Sequence, residues 1–255
     1  MKRRALIQVA FLAISLGILA AIVVMGKSSI HNFCPYALVC FGLMKGNLWV
    51  LSLGIAALGI FLGLIFFVLT MFWGRFFCGY ICPLGTLQEY VNRLRGKKRS
   101  RQIPIFAERK LAKIKYWILG ITALLVFGGL AWIFMAFCPI YAVSMLPRLA
   151  WLGLFTAVII VIGGYFLERM WCRFLCPYAA LLNISQFMGK LFAFPRAKIR
   201  RNLERCIDCG VCSLNCPMNL DILCEEYVES PDCIHCHRCA EKCPKPGTIS
   251  QERDK

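Results

Sequence analysis

Acidic residues are missing from the first third of the chain. No Asp or Glu precedes Glu89, and the whole sequence has 13 acidic residues against 30 Lys and Arg. This absence removes the carboxylates that a proton or ion relay through that stretch would need. Histidine is nearly as scarce. The three present are His31, His235 and His237, so no histidine pair is available inside the apolar runs to hold a haem. Charged residues of both signs make up only 17 %, while 59 % of residues are hydrophobic. That balance is not that of an ordinary soluble domain, and it predicts a membrane protein in contact with lipid. A net charge of +17 could suit nucleic acid, but the basic residues cluster beside apolar runs. Such a distribution favours topology signals and anionic lipid, and no nucleic-acid partner is expected.

Cysteine is abundant instead, with 16 copies. Cys206, Cys209, Cys212 and Cys216 precede Pro217, and Cys233, Cys236, Cys239 and Cys243 precede Pro244. Each block reads C-x2-C-x2-C-x3-C-P, the spacing by which bacterial ferredoxins hold four-iron clusters on thiolates. Two copies predict two [4Fe-4S] clusters. In this arrangement the fourth cysteine of each run crosses to the other cluster. Cys206, Cys209, Cys212 and Cys243 are therefore assigned to one, and Cys233, Cys236, Cys239 and Cys216 to the second. Zinc would favour two close pairs with a longer spacer, and disulfides would not need this doubled register. Thiolates require a reducing compartment. Cys224 fits neither run and reads as a buried structural cysteine.

Four apolar runs of spanning length are present: Ala5 to Met25, Leu48 to Trp73, Tyr116 to Phe137 and Ala150 to Leu167. The first follows Lys2-Arg3-Arg4 and reads as an uncleaved helix. The expected fold is mostly α, a four-helix transmembrane bundle over residues 1–195, followed by a small cytoplasmic 2[4Fe-4S] ferredoxin domain over 196–255. Between Gly74 and Lys115 the chain has eleven Lys and Arg against Glu89 and Glu108. Arg169, Arg173, Lys190, Arg196, Lys198, Arg200 and Arg201 follow the fourth run. By the positive-inside rule both segments and both termini are cytoplasmic, in a multi-pass protein of a bacterial-type inner membrane.

The membrane part reads as two related halves, about 28–95 and 132–192. Each opens on Phe-Cys-Pro, at Cys34 and at Cys138, and closes on C-x3-C-P, at Cys78 and Cys82 and at Cys172 and Cys176. Pro83 and Pro177 should start short helices, Leu84 to Leu94 and Tyr178 to Leu191, with Cys82 and Cys176 at their N-termini. The repeat would bring Cys78, Cys82, Cys172 and Cys176 together as a further metal centre or redox site. The other reading is that they are small residues packed in an apolar interface. Cys34 and Cys138, with Cys40 nearby, would be outer redox thiols on half-helices Pro35 to Met44 and Pro139 to Met145, or buried residues of two surface helices.

C-x3-C-P repeated beside apolar helices, followed by the doubled ferredoxin run, resembles the NapH, NosR and CcoG group of membrane polyferredoxins over nearly the whole chain. Its layout is most similar to NapH-like proteins. The resemblance implies an electron-transfer component rather than a stand-alone enzyme. It would link the quinone pool or a cytoplasmic donor to a membrane or periplasmic reductase, with any flavin on a flavin-binding partner and a quinone as a possible cofactor. The alternative is a conduit of reducing equivalents to an outer thiol or disulfide pair, Cys34 and Cys138.

Overall fold

The computed structural model describes residues 2–25, 34–36, 38–39, 55–95, 103–130, 133, 137–138 and 151–253. Helix α1 covers Lys2–Met25, α2 Ile55–Trp73, α3 Phe76–Tyr80 and α4 Pro83–Leu94. Helices α5, Ile105–Leu111, and α6, Ile114–Phe127, follow. Then come α7, Trp151–Phe166, a π-helical turn at Trp171–Leu175, and α8, Pro177–Leu191.

The four-helix transmembrane bundle is not what the structure shows. Among the described residues no helix is long and apolar enough to cross a membrane. The third expected span, Tyr116 to Phe137, stops after the 14 residues of α6 because Gly128 and Gly129 follow, the latter at φ +77°. At about 1.5 Å per residue α6 reaches about 21 Å, short of a hydrocarbon core about 30 Å thick. Helix α7 has 16 residues and α2 has 19; Leu48 to Gly54, where the second span was to begin, lies outside the described residues. Helix α1 has 24, but it opens on Lys2, Arg3 and Arg4, and Arg4 and Gln8 are buried against protein rather than free for lipid. The expected outer connections, His31, Cys40 and most of both proposed half-helices also lie outside the described residues.

The helices pack reciprocally. The helix after the first C-x3-C-P, α4, lies on α7, and the helix after the second, α8, lies on α2. One polar anchor repeats on each side. Asn92 Nδ2 on α4 donates to Gly164 O of α7 at 3.0 Å, and Ser185 Oγ on α8 donates to Phe67 O of α2 at 2.5 Å. Each anchor uses a side chain to reach a carbonyl on the opposite helix, so it fixes the axial register of a contact that apolar packing alone would leave free to slide. Helix α1 also packs on α4, and α6 on α8.

Beyond α8 the chain forms a three-stranded antiparallel sheet in the order β2-β1-β3. Its strands are β1, Ala197–Arg201, β2, Tyr227–Val228, and β3, Ile249–Arg253. Alternate residues of β1 are buried, so Ala197, Ile199 and Arg201 face inward as a period of two demands. Short helices α9, Val211–Leu214, and α10, Arg238–Lys242, each begin within a cysteine run.

Candidate iron-sulfur sites

The two cysteine runs adopt the same backbone shape. In the first, Asp208 and Gly210 take positive φ, +49° and +71°; in the second, His235 and His237 do so, +47° and +57°. These are the same two positions of each loop, and they fold the chain inward so that its cysteines line a common space. Cys206, Cys209 and Cys212, with Cys243 from the other run, line one space together with Ile207, Leu223 and Ile249. Cys233, Cys236 and Cys239, with Cys216 from the first run, line another, walled by Ile199, Ile222, Val228 and Ile234. All eight are free thiols. Burial, followed by the neighbouring Cys236 sulfur, pushes Cys216 up to about 11 and Cys239 up to about 12. As bare thiols these groups are neutral, and coordination would deprotonate them. No three His, Cys, Asp or Glu side chains among the described residues gather tightly enough for a single ion. Four sulfurs around a wider apolar space suit a cluster, whose ligands stand farther apart than those of one ion. The donor set and the two cavities therefore fit [4Fe-4S] groups.

The C-x3-C-P cysteines also meet. Cys82 and Cys176 cap α4 and α8 in near-identical extended geometry, φ −62° and ψ 116° against φ −73° and ψ 111°, with proline in the first helical turn. Cys78 and Cys172 are buried. Burial, then the nearby Cys172 and Cys78 sulfurs, raises both Cys82 and Cys176, the latter to about 12. This group abuts the second ferredoxin cavity. Cys78, Cys82 and Cys176 share one apolar core with Ile234, Cys236 and Cys216.

Cys34 is half-buried and packs on that same core, while Cys138 is buried. Cys224 is exposed, not buried as its sequence context indicated, and its thiol donates to Asp221 Oδ2 at 2.8 Å. It borders a cleft of about 260 Å³ whose lining combines Glu108, Asp221, Glu225, Glu229 and Asp232 with Ile105, Met218, Leu220 and Val228.

Sequence reasoning missed the buried ion pairs. Glu89 is fully buried and accepts from Arg4 at 2.7 Å, Arg169 at 2.9 Å and Arg93 at 2.7 Å. Asp232 accepts from Arg75 at 2.7 Å and from Lys115. Arg173 pairs with Glu108, and Arg238 with Glu168. The only available signal was the isolation of Glu89 as the first acid in a basic stretch.

Taken together, paired cysteine cavities on a small sheet, joined to a helical part with its own cysteine group, define an iron-sulfur electron-transport protein. Comparison agrees. A family model described as a 4Fe-4S binding domain matches residues 54–102 and again 149–199, one C-x3-C-P in each. YccM of Escherichia coli K12, named for electron transport, is 32 % identical over 72 % of this chain and 53 % of its own. MJ0750 of Methanocaldococcus jannaschii is 30 % identical over 70 % of this chain and 72 % of its own. The regulatory protein NosR of Pseudomonas aeruginosa is 30 % identical over 68 % of this chain and 25 % of its own. The chain belongs to the NapH, NosR and CcoG group of ferredoxin-type iron-sulfur proteins. It spans about half the length of YccM and a quarter of NosR. No solved structure matches it.

Proposed function

We propose that this chain carries electrons through two [4Fe-4S] clusters between cytoplasmic or quinone-pool carriers and a membrane or periplasmic redox partner, without acting as a stand-alone enzyme. The observation that carries this reading is the pair of cavities, each lined by three cysteines of one run and the fourth of the other. A four-iron cluster supplies one-electron transfer when bound. Cys206, Cys209, Cys212 and Cys243 would hold the first, and Cys233, Cys236, Cys239 and Cys216 the second. Ile199, Ile222 and Val228 exclude water from the second site. Arg201 donates towards Cys206 Sγ at 3.5 Å and pairs with Asp208, placing a positive charge beside the first.

Residues 1–195 and 196–255 are read as a helical part built of two halves and a ferredoxin-like domain. Support for the halves comes from the twice-matched family model and the reciprocal packing. The helical part exposes Leu6, Trp117 and Leu124 at more than 70 %, alongside Phe61, Phe155 and Phe187. Apolar exposure on this scale marks a contact face, and with a chain this basic the partner it fits is an anionic lipid surface. The thiolate requirement favours the cytoplasmic side for the ferredoxin-like domain.

Replacing Cys209 and Cys236 together by alanine is expected to remove roughly eight iron and eight sulfide per chain, along with the reduced-state paramagnetic signal of the pair. Iron, sulfide and electron paramagnetic resonance measurements on anaerobically purified wild type and variant check this. Zinc in place of iron in the wild type would end the ferredoxin reading.

A further inference from the structure

We propose that the cleft where the ends of α2 and α8 meet the ferredoxin-like sheet is a headgroup site for one anionic phospholipid, held at its phosphate by Lys190, Arg196 and Lys198. Such a site rests on the lipid-contact reading above and names the lipid chemistry it would take. The cleft lies among Met71 at the end of α2, Gly74 just beyond it, Lys190 in the last turn of α8, and Arg196, Lys198 and Ser230 of the sheet part. Lys190 belongs to the helical part and Lys198 to β1, so a group bound between them would tie the two parts together.

The charge of this cleft is unbalanced. Three cations line it, and Glu229 is the one carboxylate among its described lining residues. Lys190 Nζ reaches Glu229 Oε2 at 3.0 Å and Lys198 Nζ reaches Oε1 at 3.3 Å, so two lysines share a single carboxylate. Arg196 has no acidic partner among the described residues, and its stem is laid along α8: a Cβ added at Gly189 would stand 3.5 Å from Arg196 Cδ. Two positive charges are therefore left over. A phosphodiester has one negative charge and two free oxygens, which accept from the planar arginine fork and from a lysine without displacing Glu229.

The surface beside the cations selects a lipid over a free anion. Leu191, Phe192 and Phe194, which follow Lys190, are exposed, as is Trp73 at the end of α2. Phe194 packs on Phe72 at 5.5 Å between ring centroids and on Phe192 at 6.3 Å, which makes an aromatic shelf. The Arg253 guanidinium lies over the Trp73 ring, 5.8 Å from its centroid. Aromatic rings next to Lys and Arg are the composition of a membrane–water interface, where the rings sit at headgroup level and the cations meet phosphate. A soluble phosphate would leave this shelf in water, whereas an acyl chain covers it.

The test uses the full chain, purified without oxygen in a neutral detergent, stripped of lipid and mixed with phosphatidylglycerol or phosphatidylcholine, with bound lipid counted by native mass spectrometry. Wild type is expected to retain one phosphatidylglycerol in preference to phosphatidylcholine. Lys190→Gln, Arg196→Gln and Lys198→Gln together should weaken that retention by roughly a hundredfold, with circular dichroism unchanged. Removing the same charge from the exposed residues of another segment, by Arg109→Gln, Lys110→Gln and Lys113→Gln, should leave it as in wild type. Equal loss in this second variant, or equal retention of the two lipids by wild type, would overturn the site while the lipid-contact reading stands. Displacement of the lipid by excess inorganic phosphate would overturn its assignment to a phospholipid. Retention of neither lipid by wild type would overturn the lipid-contact reading together with the site.

Discussion

Exchanging Glu89 for glutamine is expected to destabilise the chain by about 3–5 kcal/mol, the range for breaking a buried ion pair by removing one partner. Glu89 is the common acceptor for Arg4 of α1, Arg93 one turn later on α4, and Arg169 before the π-helical turn, and Gln8 Nε2 donates to it at 3.2 Å. Glutamine keeps the shape but leaves Arg4 and Arg169 buried without a counter-ion, so the contacts of α1 with α4 and of both with the second half should loosen together. Burial pushes the Glu89 carboxyl up, yet Arg169 and Arg4 outweigh it and hold it at about 2, below the ordinary 4.5. Because the folded value is depressed, the stabilisation is fully present above about pH 4.5 and drains away as pH falls towards 2. Denaturant midpoints for wild type and Glu89→Gln at pH 7 and pH 3 check both parts. The gap between the two proteins should narrow at the lower pH, and coincident midpoints at pH 7 would show that the carboxylate stabilises nothing.

Gly79→Ala is expected to separate the C-x3-C-P cysteines from the second ferredoxin site. A Cβ at Gly79, in the middle of α3, would stand 2.5 Å from the carbonyl oxygen of Ile234, inside the second cysteine run. The obstacle is backbone, so one of the two elements must move. Overpacking of this kind costs about 1–3 kcal/mol. Gly74 marks the same seam: it takes φ +67°, and an added Cβ would meet the His235 ring at 2.3 Å. The expected outcome for Gly79→Ala is unchanged iron content with slower internal electron transfer, read by rapid-mixing spectroscopy after reduction from one end. A wild-type rate would mean that this contact is not on the path.

Some of this was legible in the sequence because it is written in short spacings. Pro83 and Pro177 started helices within a residue of where the local rule put them, and the cysteine runs show the same two left-handed positions in each loop. Hydropathy alone misled for Tyr116 to Phe137: Gly128 and Gly129 do not interrupt an apolar average, but they end α6. The basic residues were read as topology signals, whereas Arg4, Arg75, Lys115 and Arg169 are buried. Their partners lie 80 or more positions away, Arg4 from Glu89 by 85 and Lys115 from Asp232 by 117. No local pattern carries such a pairing; it exists only once α1, α4 and the cysteine runs are brought together.

The crossed packing of α4 on α7 and α8 on α2 bears on descent. A half-length ancestor, ending after one C-x3-C-P, would own two of four sulfurs and one long helix with its covering partner missing. It could complete both against a second copy of itself. Fusion of two such genes would leave the crossed contact in place while freeing each half to diverge, so that one could lose or gain a charge without the change appearing twice.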